Sequence, residues 1–299
     1  MQKKKLTIKK PLTARKPPVR RAIPVRSKKN IKSSATTGAA ISAPSTTAPK
    51  SETGTSWESV ASWYDALLTK NDDTYQMRVI LPNLLRLMKI APKESVIDVA
   101  CGQGFFSAAF AKAGATVTGT DLSESLIGLA REHVPGGTFY VTPAQHAADV
   151  GAASIDQAAV VLAIQNIENP RDVFAECARV LKPGGRVHLV MNHPCFRIPK
   201  RSSWGWDMNG RQFRHIDGYL TESNATIEMH PGADPTAKTV SFHRPLQYYI
   251  KALARTGFVI TGFEEWMSHK TSDSGPRAPE ENRARKEIPL FLYIEGVKK

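Results

Sequence analysis

No stretch of this 299-residue chain approaches the roughly 18 consecutive apolar residues that a membrane-spanning helix needs. No apolar core follows the basic opening residues, so a secretory leader is not expected. Cysteine is scarce: Cys101, Cys177 and Cys195 lie apart, without metal-ligand spacing or a disulfide framework, which fits a reducing, cytoplasmic setting. The histidines, His188, His215, His230, His243 and His269 among them, form no i, i+3 or i, i+4 pairs, which argues against a metal site. No internal repeat is visible. Acidic residues are nearly missing from one segment: residues 1–54 hold ten Lys and four Arg against Glu52 alone, a net +13 of the chain's +14. The remainder carries +1, so the basic character belongs to the tail and not to the body.

That tail is made of Lys, Arg, Pro, Ser, Thr and Ala with almost no large apolar residues, and it is expected to be disordered because it cannot bury enough surface to order itself. It reads as a solubilising extension, as a polybasic arm for nucleic acid or an anionic surface, or as a transit peptide. Pro11, Pro17, Pro18 and Pro24 interrupt the amphipathic helix that a transit peptide would use.

The most informative stretch is Val96-Ile97-Asp98-Val99-Ala100-Cys101-Gly102-Gln103-Gly104-Phe105. Apolar β-formers run into an Asp, then into a Gly-spaced turn, then into the helical pattern Phe105-Phe106-Ser107-Ala108-Ala109-Phe110-Ala111. This describes a buried parallel strand whose carboxyl end delivers a loop that a ligand can approach at the backbone. Seventeen residues after Gly104, a second apolar run ends in Asp121. A carboxylate there can accept from both hydroxyls of a ribose diol, and the alternative is a helix cap before Ser123-Glu124-Ser125.

From Trp57 onward the pattern alternates. An amphipathic helix over Trp57–Leu68, with Ser56 as its cap, and a second helix over about Thr74–Ile90, kinked at Pro82, come first. Strands follow near 95–99, 115–120, 138–142, 156–163 and 185–191, with helices near 104–113, 123–133 and 170–181 and a weak one near 144–150. Lys182-Pro183-Gly184-Gly185 reads as a helix stop and a turn. A helix over Pro245–Thr256, strands over 258–267 and 288–295, and a short helix between those strands end the chain. Residues 193–243 break the alternation as an aromatic-rich insertion, a cap segment after strand five. The expected fold is α/β, a doubly wound, mostly parallel sheet in one domain over residues 55–299.

Four motifs in order resemble the class I S-adenosylmethionine (SAM) methyltransferases, and in particular the branch with ubiquinone- and menaquinone-biosynthesis enzymes and other small-molecule methyltransferases. They are Asp98-Val99-Ala100-Cys101-Gly102-Gln103-Gly104, Asp121-Leu122-Ser123, Ala158 to Pro170, and Leu181-Lys182-Pro183-Gly184-Gly185. The resemblance covers about residues 57–299 and implies a Rossmann-like seven-stranded sheet, SAM as cofactor and a small-molecule methyl acceptor whose accepting atom (O, C or N) stays open. It implies a cofactor site of Asp98, Ala100, Cys101, Gly102, Gly104, Asp121, Leu122, Ala144, Gln145 and Ala163. Pro143 stands where the family usually has an Asp that reads the adenine edge, which leaves the Ala144 N–H and the Gln145 amide for that contact. Gln165 and Asn166 fall at the position facing the methyl group, and Tyr64 and Tyr75 are lid candidates.

His193, just after strand five, reads either as a base for the acceptor, a role that a water on Gln165 or Asn166 could fill instead, or as a hydrogen-bonded rim histidine. Trp204 and Trp206 form an acceptor wall or a small core of their own, and Arg197, Lys200 and Arg201 either steer an acidic acceptor or are solvated. Two other classes are weighed. A nicotinamide oxidoreductase would need a third Gly where Phe105-Phe106-Ser107 stands. An RNA-directed methyltransferase, or an RNA-binding protein anchored by the basic tail, would lose salt-sensitive RNA binding on deletion of residues 1–54.

Overall fold

Residues 56–230 and 234–299 are described by the computed structural model; the basic tail, expected to be disordered, lies outside the described residues. Glu58–Val60 makes one 3-10 turn that runs into α1 (Ala61–Thr69), and a π-helical turn, Gln76–Ile80, leads into α2 (Leu81–Met88). Ser56 does not cap this first helix. Its hydroxyl donates to Thr239 Oγ1 at 3.0 Å, and Trp57 holds the N-cap position without capping it through its side chain. Pro82 sits in the first turn of α2, where its missing N–H is harmless. In a regular helix its ring would crowd the carbonyl of Arg78, and Arg78 lies in the widened π turn, so the irregularity expected at Pro82 falls just before it.

The alternating segment becomes β1 (Ser95–Val99), α3 (Phe105–Lys112), β2 (Thr116–Asp121), α4 (Glu124–His133), β3 (Thr138–Val141), β4 (Ile155–Val161), α5 (Pro170–Val180) and β5 (Leu181–Asn192). The weak helix expected at 144–150 does not form. Glu176 Oε1 accepts from the Ala147 N–H at 2.7 Å, and Arg179 donates to the Ala147 and Val150 carbonyls at 2.9 Å, so α5 side chains satisfy the backbone groups a helix would have paired internally. The turn expected at 182–185 is present as a bulge inside β5: Ile155 pairs with Leu181 while Gln157 pairs with Arg186, and Gly184 takes φ 77°.

The 193–243 insertion is more regular than its sequence suggests. It forms two antiparallel hairpins, β6 (Ser202–Trp206) with β7 (Gln212–Ile216) and β8 (Ser223–His230) with β9 (Asp234–His243). Along β9 the buried alternate positions are Ala237, Thr239, Ser241 and His243, small or polar residues that hide the two-residue period. The chain then forms α6 (Leu246–Arg255), β10 (Phe258–Trp266), α7 (Ala278–Glu287) and β11 (Phe291–Lys298).

Seven strands form one sheet in the order β10-β11-β5-β4-β1-β2-β3. All neighbouring pairs are parallel except the two made by β11. Side chains alternate across it: Ile97, Val99, Ala158, Val160 and Leu189 pack with α5 and α6, through Phe174 and Leu253. Val96, Ala159, Val161 and Val190 pack with α2, α3 and α4, through Leu84, Phe110 and Ile127. Burial on both faces explains why the strands read as continuous apolar runs. The carboxyl ends of β1, β2, β4 and β5 therefore share one rim, and no described helix is long and apolar enough to cross a membrane.

Candidate active site

The loop after β1 is bent by three residues in the left-handed region: Ala100 and Gly102 at φ 57° and Gly104 at 83°. Ala100 is the notable one, since a side chain disfavours that conformation and such residues cluster at ligand sites. The Cys101 N–H donates to the Thr120 carbonyl at 2.9 Å, and the Gly102 N–H donates to Asp121 Oδ2 at 2.9 Å. Asp121 Oδ1 accepts from the Ser123 N–H at 2.9 Å. Asp121 thus ties its own loop to the glycine loop. Ser123, as the N-cap of α4, accepts from the Leu126 N–H at 3.1 Å.

These loops floor a cavity of about 290 Å³. Asp98, Ala100, Cys101, Gly102, Asp121, Leu122, Ala144, Gln145, Ala163 and Asn166 all line it. Gly104 does not. A Cβ there would come within 3.1 Å of the Ala130 Cα and Cβ, so this glycine lets α3 approach α4 closely and acts on the cavity only by shaping the loop. Leu122 is 55% exposed, an apolar platform beside the Asp121 carboxylate.

Two carboxylates meet here without a cation. Asp98 is 1% exposed, accepts from the Ser107 hydroxyl at 2.7 Å and from the Ser107 backbone N–H, and has no basic partner among the described residues. Burial, with the Asp121 charge adding to it against the Ser107 hydrogen bonds, pushes its carboxyl up to about 7. Burial likewise raises Asp121, against the hydrogen bonds from Ser123, Gly102 and Leu122. Such a pair is electrostatically incomplete and favours a positively charged ligand.

The roof comes from the leading helices. Trp57, Tyr64 and Leu68 line the cavity, with Trp57 and Tyr64 edge-to-face at 5.4 Å. A Cβ on Gly102 would lie 3.6 Å from Tyr64 Cε1, so the phenol ring rests close to the bare backbone of the loop. Glu58 clasps this roof to α4: it accepts from Ser123 Oγ at 2.5 Å, from the Ser125 N–H at 3.1 Å and from the Ser125 hydroxyl. His133 faces Asp65 at 3.4 Å.

Other expected site residues lie elsewhere. Tyr75 is outside the lining: its hydroxyl pairs with Ser268 at 3.2 Å and its ring packs edge-on against Phe291 at 5.5 Å. Gln165 and Asn166 share the 3-10 turn Ile164–Asn166, but only Asn166 reaches the cavity; Gln165 Nε2 donates back to the Leu162 carbonyl at 2.6 Å. His193 is 1% exposed and also outside the lining. Its Nε2 bonds Glu265 Oε1 at 2.6 Å, and its Nδ1 accepts from the Cys195 N–H at 3.2 Å. The backbone N–H fixes the tautomer with the proton on Nε2 and occupies the nitrogen that a base would need. Burial lowers the His193 pKa further, against the pull of Glu265. The geometry is that of the hydrogen-bonded rim histidine.

The sequence reading passed over Trp57, Glu58, Gln103, Phe105, Leu126, Ile167 and Glu168. All except Glu58 line the cavity, and Glu58 clasps its roof. Their common signal is position, just beyond the strand ends or at the start of the leading helix, and not residue type. None of residues 193–243 lines this cavity among the described residues; β9 touches its surroundings through Thr239, which accepts from Ser56 beside the roof, and through the Ile164–Asn166 turn, while Arg244, just after β9, donates to the Ile167 and Glu168 carbonyls. No described cluster of His, Cys, Asp or Glu could hold a metal.

Residues 97–189 match the family model described as a methyltransferase domain. The chain carries a class I SAM-dependent methyltransferase domain. The match runs from β1 almost to the end of β5, so the family signal lies in the half that builds the cavity. Curated relatives include the ubiquinone biosynthesis O-methyltransferases of Methylococcus capsulatus, 39% identical over 95 residues (30% of this chain, 40% of that protein), and of Idiomarina loihiensis, 35% identical over 131 residues (42% and 51%). The chain spans about half or less of the length of these relatives. Among solved structures, an S-adenosylmethionine dependent methyltransferase from Mesorhizobium loti is 28% identical, with a TM-score of 0.59 over 72% of this chain and 96% of that one. The PH0226 protein from Pyrococcus horikoshii, 22% identical with a TM-score of 0.53, shares the fold over 80% of this chain and 99% of its own. In this methyltransferase domain the hairpins β6–β9 lie beyond the matched segment.

Proposed function

We propose that the methyltransferase domain holds SAM in the cavity at the β1, β2 and β4 ends and transfers its methyl group to a small molecule. The observation that carries this reading is the pair of carboxylates, Asp98 buried and Asp121 half-buried, with no cation beside them among the described residues. When bound, the cofactor supplies a methyl group already activated on a sulfonium. Its amino-acid end brings an ammonium, the charge Asp98 lacks, and the glycine loop admits that end because Gly102 has no side chain to block it. Asp121 would accept from the ribose hydroxyls, and Leu122, Ala144 and Gln145 would flank the base.

The chain's own contribution to the reaction is to position and to exclude water. Trp57 and Tyr64 close one side, and Asn166 borders the side toward β4, where the acceptor would enter. Holding two substrates in line can supply on the order of 7–11 kcal/mol of the barrier in favourable cases. An acceptor that must lose a proton has Glu168 at the cavity wall, since His193 has no free ring nitrogen. The chain matches these curated O-methyltransferases over about half of their length or less, so the accepting atom is not carried over from them. A cytoplasmic location belongs to the same proposal and rests on three free cysteines. No observation favours an RNA acceptor.

The test is methyl transfer itself. Full-length protein incubated with methyl-tritiated SAM and, separately, with the small-molecule and the RNA fractions of a cell extract is expected to yield a labelled product in the small-molecule fraction. Label appearing only in an RNA fraction, or in no fraction at all, would overturn the small-molecule reading.

A further inference from the structure

Arg197, Lys200 and Arg201 follow β5 on the rim that carries the cavity. Lys200 and Arg201 are exposed, whereas Arg197 is half-buried and its Nε is sealed from solvent with no hydrogen-bond acceptor. Arg214 enters the same place from β7, directly across the hairpin from Trp204. Both guanidinium groups lie over the Trp204 ring, at 5.5 Å and 5.2 Å from its centre. Arg214 donates to the Phe196 carbonyl and to the Ser202 hydroxyl, both at 2.8 Å. Neither acceptor is charged.

Most other half-buried arginines are paired with a carboxylate, Arg285 excepted, whose guanidinium donates to Ser272 and Asn282. Arg86, Arg179, Arg186, Arg244 and Arg283 each have a carboxylate within 4.0 Å, but Arg197 and Arg214 have none among the described residues. Two half-buried cations side by side without a counter-charge are costly, and buried charges are normally paired. Burial and the neighbouring Arg214 pull the Arg197 guanidinium down to about 10, with the Tyr75 phenol acting in the opposite sense. Beside the stack a recess of about 400 Å³ opens, lined by Phe196, Asp207, Arg211, Phe213 and Arg283 as well as Arg214, so an ion from outside can reach the Arg214 side of the group. Phe196 in turn packs on His193 at 4.8 Å, which places the recess next to the end of β5.

We propose that Arg197 and Arg214, held on Trp204, form an oxyanion subsite that grips a carboxylate or phosphate group of the methyl acceptor. A guanidinium presents a planar fork that matches either group, and the indole holds the fork in place. That the anion belongs to the acceptor rests on the proposed methyl transfer; the anion site itself does not.

The experiment is calorimetric titration of the full-length protein with benzoate and, separately, with inorganic phosphate, at constant ionic strength. Wild type, Arg197→Gln, Arg197→Lys and Arg214→Gln are compared, and each is also titrated with S-adenosylhomocysteine to show an intact domain. Saturable binding of a probe is expected, at least tenfold weaker in Arg197→Gln and in Arg214→Gln and partly kept in Arg197→Lys, with S-adenosylhomocysteine binding unchanged throughout. Preference for benzoate would assign a carboxylate and preference for phosphate a phosphoryl group. Absence of saturable binding of both probes, or equal binding by Arg197→Gln and wild type, would overturn the subsite. Probe binding by a wild-type protein that does not bind S-adenosylhomocysteine would keep the subsite and overturn its assignment to a methyl acceptor.

Discussion

Replacing Asp98 by Asn removes a buried charge while leaving an oxygen for the Ser107 hydroxyl, and its consequence can be worked out from the site. In the unfolded chain this carboxyl titrates near 3.8; in the folded chain it titrates at about 7 because it is buried without a cation. Between those values the native state holds a proton that the unfolded state has released, so stability falls as pH rises through the window. Above 7 the full penalty is in place, about 4 kcal/mol for a rise of about three pKa units. Asn at this position has nothing to ionise. Urea unfolding of wild type and Asp98→Asn, followed by circular dichroism from pH 4.5 to 8, is expected to show the variant gaining on wild type as pH rises, by up to about 4 kcal/mol. S-adenosylhomocysteine should bind the variant at least tenfold more weakly, because its ammonium loses the carboxylate it neutralises. A difference between the two proteins that is flat with pH, or that shrinks as pH rises, would refute the claim that Asp98 lacks a cation in the free protein.

Gly104→Ala forces a side chain into the left-handed region and against the Ala130 backbone 3.1 Å away, and should cost about 1–3 kcal/mol of stability by chemical denaturation. Glu58→Ala releases the roof from Ser123 and Ser125, and stopped-flow measurement should show S-adenosylhomocysteine leaving several-fold faster with little change in unfolding free energy. His193→Gln is expected to leave S-adenosylhomocysteine affinity within about twofold, since the ring stands outside the cavity; a tenfold loss would place it in the site after all. Phe174→Ala, at a fully buried position between α5 and the sheet, should destabilise the domain by about 3–5 kcal/mol.

The floor of the cavity was legible in the sequence because its carboxylates stand at strand ends. Asp98 and Asp121 each close an apolar run, and a buried parallel strand leaves few other places for such a residue. Gly104 was legible as a required glycine but not in its reason, because Ala130, which it must clear, lies on the next helix. The roof was half legible: Tyr64 and Tyr75 look alike in sequence, yet one rests on the glycine loop and the other packs on Phe291. The hairpins were not legible, since Thr239 and Ser241 occupy the buried positions of β9 where apolar residues would have announced a strand. The roles of His193 and Arg197 depended on distant partners, Glu265 seventy-two residues away and Arg214 across a hairpin, or on the lack of one. Pair geometry of that kind has no signature in local composition.

The account turns on the cavity between Asp98, Asp121 and the roof being a site for SAM. The most direct measurement is calorimetric titration of full-length wild type and Asp121→Ala with S-adenosylhomocysteine, with NADH as the control ligand. Tight binding by wild type, at least tenfold weaker in Asp121→Ala, with no binding of NADH, is the predicted result. Binding of NADH in place of S-adenosylhomocysteine, or of neither ligand, would contradict it.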